Sequence, residues 1–420
     1  MLLLTACTQQ TPPATEPGES TTAVTTAAVT ATADTAPSAS DPALSTTSGA
    51  SASTAEATKP TTAVTATVTT TAKPTTPTTA ASALSSNTVE LYGRFLKSKD
   101  GYRFDWSGST VEGGFRGTAV TLDLRIISGS EIDYFNVYID GKLLPEKLIV
   151  TKSQTSYELA EGLEDGYHTV RVEKRTEGNF GALCEFLGFR FPDGEAAPAP
   201  ARPKRYIEVM GDSITAAYGN VSQPNAGGFK LEEEDYANSY AKFTADHFGA
   251  YATVLGWSGG GLTRDIVGRR EPVFRNDLFW RTNALSLRTN YDFAQQPDVV
   301  VINLGTNDFQ AAFEALPDGF ADEYTAHYVA FLEEIRKVYP KTHIVCAMGP
   351  MTMEPEPYIE AAVKARNDAG DKAVSYCELS YEGADLKEGE KWGADMHPSA
   401  LGHWEMSRKL IAHIEQQLGW

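Results

Sequence analysis

An all-β sandwich followed by an α/β domain with a parallel sheet is the fold that this sequence of 420 residues predicts. Three observations carry the reading. Residues 8–87 are almost wholly Thr, Ala, Ser, Pro and Val, too polar to form a core that offsets ordering entropy. From Thr88 to about residue 195, short runs alternate apolar and polar side chains with turns between them and no helical stretch. After Pro203 strand-like and helix-like runs alternate, which implies a parallel sheet covered by helices on both faces.

Each segment has its own warrant. In the sandwich, Val120, Leu122, Leu124 and Ile126 alternate with Thr121, Asp123 and Arg125. Phe135, Val137 and Ile139 end in the turn signal Asp140-Gly141. Val170 and Val172 alternate with Arg171 and Glu173, and the run Phe186 to Phe191 precedes a Pro/Ala segment. In the second domain, residues 204–420, strands are expected at 205–210, 251–255, 298–304, 343–348 and 373–379. Helices are expected at about 236–248, 321–339, 357–369 and 399–418. At the other end, residues 1–7 close in Leu4-Thr5-Ala6-Cys7, the form of a bacterial lipoprotein cleavage site with Cys7 as the lipidated residue. Only six residues precede Cys7, so the signal is expected to be truncated or misassigned at its start. The tail at 8–87 then reads as a disordered tether holding the folded part off a cell surface.

Charge and cysteines exclude several classes. The net charge is −19, and the tail holds only five acids and two lysines. The acidic excess therefore sits on the folded part, which argues against nucleic acid and against an anionic membrane surface as direct partners. None of the four cysteines forms a CxxC pair, so neither a zinc ribbon nor a thioredoxin-type site is suggested, and no metal motif stands out. Cys346 and Cys377 lie in apolar runs and read as core residues.

The chemistry centres on Gly211-Asp212-Ser213, directly after the apolar run Tyr206 to Met210. A strand that stops there lifts a hydroxyl to the carboxyl end of a sheet, where open α/β sheets hold ligands. Serine needs a base, a group to orient that base, and donors for an oxyanion. His397, followed by Pro398-Ser399 at the start of the last helix, is the best base of the seven histidines. Asn307 follows the apolar run Val299 to Leu304 and suits an oxyanion donor; Gly259 in Ser258-Gly259-Gly260-Gly261 and the Ser213 N–H are the others.

Together Gly211-Asp212-Ser213, Ser258-Gly259, Gly305-Thr306-Asn307-Asp308 and Asp395-Met396-His397-Pro398 resemble the four blocks of the SGNH, or GDSL, hydrolases over residues 204–420. Gly93-Arg94, Trp106-Ser107-Gly108, Ile139-Asp140-Gly141 and the run His168 to Glu177 are similar to the N-terminal jelly roll of carbohydrate esterase family 2. The resemblance implies a three-layer α/β/α hydrolase behind a jelly roll at 88–195. It also implies a cofactor-free deacetylase of plant polysaccharides such as xylan or glucomannan, some members of which bind cellulose chains in the cleft. Most SGNH hydrolases place a triad Asp three residues before the His. Here that position is Ala394, and the nearest carboxylate is Asp395, two before. Asp395 is therefore expected either to complete a triad or only to brace the loop; a Ser–His dyad helped by a backbone carbonyl is also known in the family resembled.

Other residues carry a plainer role beside the functional one. Trp257 and Trp392 flank the blocks and suit sugar stacking, against ordinary core packing. Asp308 suits the acceptor pocket, against a helix cap. His403 reads as a packed histidine, Asp212 as a turn residue, and Glu232-Glu233-Glu234-Asp235 as a solvated acidic loop. The expected protein is an extracellular, cell-surface bacterial lipoprotein acting on acetylated polysaccharide and touching the membrane only through its lipid. A peptidoglycan or lipid acyl esterase, or a polysaccharide-binding protein with a vestigial site, are the alternatives.

Overall fold

The computed structural model describes residues 88–287, 289–310 and 316–420. Cys7 and the tail at 8–87 lie outside them, so the lipoprotein and tether readings do too. The period-2 runs fold into two antiparallel sheets packed face to face. One sheet is built around Thr110–Gly117, Gly166–Lys174 and Ile132–Ile139; the other is built around Ala182–Arg190, Val120–Gly129 and Tyr102–Phe104. Their inward side chains, among them Phe104, Phe115, Leu122, Leu124, Phe135, Val137, Val170, Val172 and Phe186, form one core. Each such side chain taken from water stabilises by about 1.5–3 kcal/mol. A further strand, Glu195–Ala197, pairs with Thr110–Gly117 and carries the sandwich slightly past residue 195.

The second domain has five parallel strands: β1 (Arg205–Gly211), β2 (Ala250–Gly256), β3 (Val299–Asn303), β4 (His343–Met348) and β5 (Val374–Glu378). They lie in the order β2-β1-β3-β4-β5. The chain leaves β1 toward β2 and then returns to the other side at β3, which opens a crevice at the carboxyl ends of the central strands. Helices α1 (Tyr240–His247), α2 (Phe320–Val338), α3 (Glu356–Asp368) and α4 (Ala400–Leu418) cover the sheet. Ile207, Val209, Val254 and Val301 pack on one face with Leu410 and Ile414 of α4. Met210, Leu255, Ile302 and Ile344 pack on the other with Tyr328 and Phe331 of α2. Among the described residues no helix is long and apolar enough to cross a membrane. Cys184, Cys346 and Cys377 are buried free thiols.

Buried charges join the two domains. Glu208, fully enclosed in β1, is met by Arg94 of the sandwich at 3.1 Å. Arg94 also donates to the carbonyls of Phe279 and Arg281, and its guanidinium lies 4.1 Å from the Tyr291 ring centre. Trp106 of the sandwich is equally enclosed and donates its indole N–H to the Thr282 carbonyl at 3.0 Å. The run Glu232 to Asp235 corrects the expectation of a solvated loop. Glu234 and Asp235 are buried, the first accepting from the Glu177 N–H at 2.9 Å and the second paired with Arg175 at 2.9 Å. Their partners come from the sandwich, which a charge run in the sequence does not announce.

Candidate active site

Three adjacent strands, β2, β1 and β3, end at the same edge of the sheet. Ser258-Gly259, Ser213 and Asn307 follow them in turn. At the β1 corner the backbone packs too tightly for any side chain at residue 211: a Cβ there would sit 2.1 Å from Thr215 Oγ1 and 2.6 Å from the Asn303 carbonyl. Asp212 holds the turn as expected, capping the short helix Ser213–Ala216 by accepting from the Ile214 N–H at 3.0 Å. Burial pushes its carboxyl up to about 7.

His397 Nε2 lies 2.7 Å from Ser213 Oγ. On the other side of the ring, Nδ1 lies 3.2 Å from the backbone carbonyl of Asp395. A carbonyl can only accept, so Nδ1 carries the proton and the Nε2 lone pair faces the serine. Burial pushes the imidazole down to about 4, against the opposing pull of its backbone bonds and of the Asp395 charge. The ring is neutral at pH 7 and able to take a proton.

The carboxylate of Asp395 does not meet the imidazole, which corrects the triad reading. Its oxygens accept instead from the Gly228 N–H at 2.8 Å and the Tyr218 hydroxyl at 3.0 Å. The physical reason is the backbone: Asp395 and Met396 both sit in the left-handed region, at φ +49° and +60°. That turns the carbonyl of Asp395, and not its side chain, toward His397. Two such non-glycine residues cost about 1–3 kcal/mol each. The Asp395 N–H bond to Ala226 and the two carboxylate bonds hold the turn in place. Tyr218, missed in the sequence, also lays its ring 4.3 Å from that of His397.

The expected oxyanion donors face the same open cleft of about 560 Å³, which Ser213, His397, Gly259 and Asn307 line together. Asn307 donates one amide N–H to the Gly260 carbonyl at 2.8 Å, which leaves the second without a partner among the described residues. The Gly259 N–H has no partner among the described residues, and a φ of +78° suits glycine there. The Ser213 N–H lies at a helix start, where it lacks an intrahelical acceptor.

Of the expected sugar contacts, Trp257 lines the cleft. Trp392 does not: its ring packs 5.1 Å from Tyr381, and its indole N–H faces Glu388. Asp308 is fully buried and accepts from the N–H groups of Leu262, Thr263 and Arg264, so it shapes the loop and not a pocket wall. His403 is buried as expected, accepting from the Tyr240 N–H. Asn179 and Phe180, both from the sandwich, line the cleft and had no signal in the second domain's motifs. Phe180 stands 5.0 Å from Phe229, which stacks on Tyr218 at 4.1 Å. Among the described residues no group of three His, Cys, Asp or Glu side chains could hold a metal ion.

A serine–histidine pair at the carboxyl edge of a doubly wound sheet defines the fold and site of a GDSL-type hydrolase. Residues 209–405 match the GDSL-like lipase/acylhydrolase family, and residues 91–200 match the carbohydrate esterase 2 N-terminal family. Among solved structures, a family two carbohydrate esterase from Clostridium thermocellum in complex with cellohexaose matches with a TM-score of 0.72 at 34% identity, covering 79% of this chain and 99% of that one. The chain belongs to carbohydrate esterase family 2. It is similar to the cellulase/esterase CelE of Acetivibrio thermocellus, at 35% identity over 337 residues, which is 78% of this chain and 39% of that protein. It thus spans well under half the length of that curated relative. An acetylxylan esterase / glucomannan deacetylase of Cellvibrio japonicus is 27% identical over 328 residues, 76% of this chain and 86% of that one.

Proposed function

We propose that this protein removes O-acetyl groups from plant polysaccharide through an acetyl-enzyme intermediate. The observation that carries the proposal is the 2.7 Å contact between Ser213 Oγ and a neutral His397, whose far nitrogen is held by a carbonyl. Ser213 Oγ attacks the acetyl carbonyl carbon as His397 Nε2 takes the hydroxyl proton. The developing oxyanion is met by the N–H groups of Ser213 and Gly259 and by the second amide N–H of Asn307. As the intermediate collapses, His397 passes its proton to the departing sugar oxygen. Water, deprotonated by the same imidazole, then attacks the acetyl ester; acetate leaves and Ser213 regains its proton. The open cleft, Trp257 on its wall and the names of the relatives support acetylated xylan or glucomannan as substrate.

The test is S213A assayed on acetylated xylan and on 4-nitrophenyl acetate. Turnover should fall about 10⁴-fold or more; retained turnover would reject the mechanism. The related structure with cellohexaose favours a second property, binding of an unacetylated β-glucan chain across the same cleft. Calorimetry of S213A with cello- and xylo-oligosaccharides tests it apart from turnover. The sequence around Cys7 supports a lipid-anchored, extracellular location. Mass spectrometry of the N-terminal peptide from a bacterial membrane fraction, with C7A as comparison, checks that.

A further inference from the structure

Ser258 is the residue before Gly259, and all three of its polar groups are taken by side chains of the sandwich. The Glu177 carboxylate accepts from the Ser258 N–H at 2.7 Å and from its hydroxyl through the other oxygen. The Asn179 amide donates to the Ser258 carbonyl at 3.0 Å. That carbonyl and the Gly259 N–H belong to one planar, trans peptide, so they point in opposite directions. Fixing the oxygen from one side aims the N–H to the other. On the preceding side, the Trp257 N–H is tied to the Gly211 carbonyl at 3.1 Å, which joins this loop to the strand that presents Ser213.

Glu177 is itself held from several directions. Its N–H donates to Glu234, and its carbonyl accepts from the Gly181 N–H at 3.1 Å. The preceding Lys174 is fully enclosed and paired with Asp133 at 2.9 Å, and Thr176 donates to the same aspartate. The run Lys174 to Glu177 is thus a buried polar strut that ends on the oxyanion loop. Burying one carboxylate beside another is a poor way to gain stability. Burial pushes Glu177 up from the usual carboxylate range, and burial together with the Glu177 charge does the same to Glu234. Its geometric result is a fixed peptide at residues 258–259.

We propose that Glu177 and Asn179 of the β-sandwich are positioning residues that aim the Gly259 N–H at the oxyanion, so that the sandwich is a working part of the catalytic centre. The inference rests on the hydrolase reading of Ser213 and Gly259. E177Q, E177A and N179A in the full chain test it through kcat and KM on 4-nitrophenyl acetate, the melting temperature, and inhibition by methylboronic acid. The boronate adds to Ser213 as a tetrahedral anion and places an oxygen where the oxyanion forms. The expected result is a kcat loss of about tenfold for N179A and E177Q and up to about 10² for E177A, with KM little changed. The boronate should weaken in the same order. N179A keeps the experiment informative if E177A fails to fold, because Asn179 lies at the surface. Wild-type kcat in N179A and E177Q, or a change confined to melting temperature or to KM, overturns the proposal while S213A remains inactive. An active S213A overturns the hydrolase reading itself.

Discussion

The two loops that serve Ser213 are held in opposite ways. The loop carrying His397 is braced from within its own domain by Ala226, Gly228 and Tyr218, around two left-handed residues. The loop carrying Gly259 is gripped across the domain boundary by Glu177 and Asn179, with Asp308 beneath it. The first loop holds its conformation by anchoring an acidic side chain, so that a carbonyl can do what a carboxylate does in a triad. The second lends its rigidity from another fold. An acid near a catalytic residue can therefore work through the backbone it pins.

The largest effect should come from the Gly259 side. N307A removes an oxyanion donor and also frees the Gly260 carbonyl, and kcat should fall about 10²–10³-fold with little change in KM. A loss mainly in KM would assign Asn307 to ground-state binding instead. On the His397 side, D395N keeps an acceptor for the Gly228 N–H and a polar partner for the Tyr218 hydroxyl. Its kcat should fall by less than about tenfold, whereas removing the charge of a true triad carboxylate costs about 10⁴. A loss near 10⁴ in D395N would restore the triad and erase the contrast between the loops.

The smallest effect is one of pH. His397 acts in its neutral form, and its folded value is about 4. Neutral imidazole is present above that value and is lost as pH falls through it. Stopped-time assays should show kcat/KM falling as pH drops through an apparent midpoint near 4, below a shallower step of at most about tenfold from Glu177, whose carboxyl burial holds well above the usual carboxylate range. A midpoint near the ordinary histidine value of about 6.5 would show that the loop opens the ring to water.

Much of this was legible in the residues. Strand and helix periodicity located both folds; the serine and asparagine stood out because each follows a strand at the same sheet edge, and the histidine because it stands just before the start of the last helix. The two-residue offset of Asp395 was also visible, but its consequence depended on a positive φ that no side-chain pattern declares. Glu177 was harder still. It meets Ser258, 81 positions later in the chain, and nothing in a charged run says whether water or a partner will receive it. Glu234 and Asp235 read as solvated for the same reason. Trp392 shows the limit of adjacency: next to the His397 block in sequence, it turns its ring to Tyr381.

The Arg94–Glu208 pair decides where this chain can be cut. The Pro-rich stretch at 192–203 looks like a natural seam for expressing the hydrolase part alone. Such a fragment would leave the Glu208 carboxylate of β1 with only the Tyr206 and Tyr339 hydroxyls and no cation, and removing one partner of a buried pair costs about 3–5 kcal/mol. That is a large share of the roughly 5–15 kcal/mol that holds a typical domain folded. The two domains are best handled, swapped or engineered as one indivisible module.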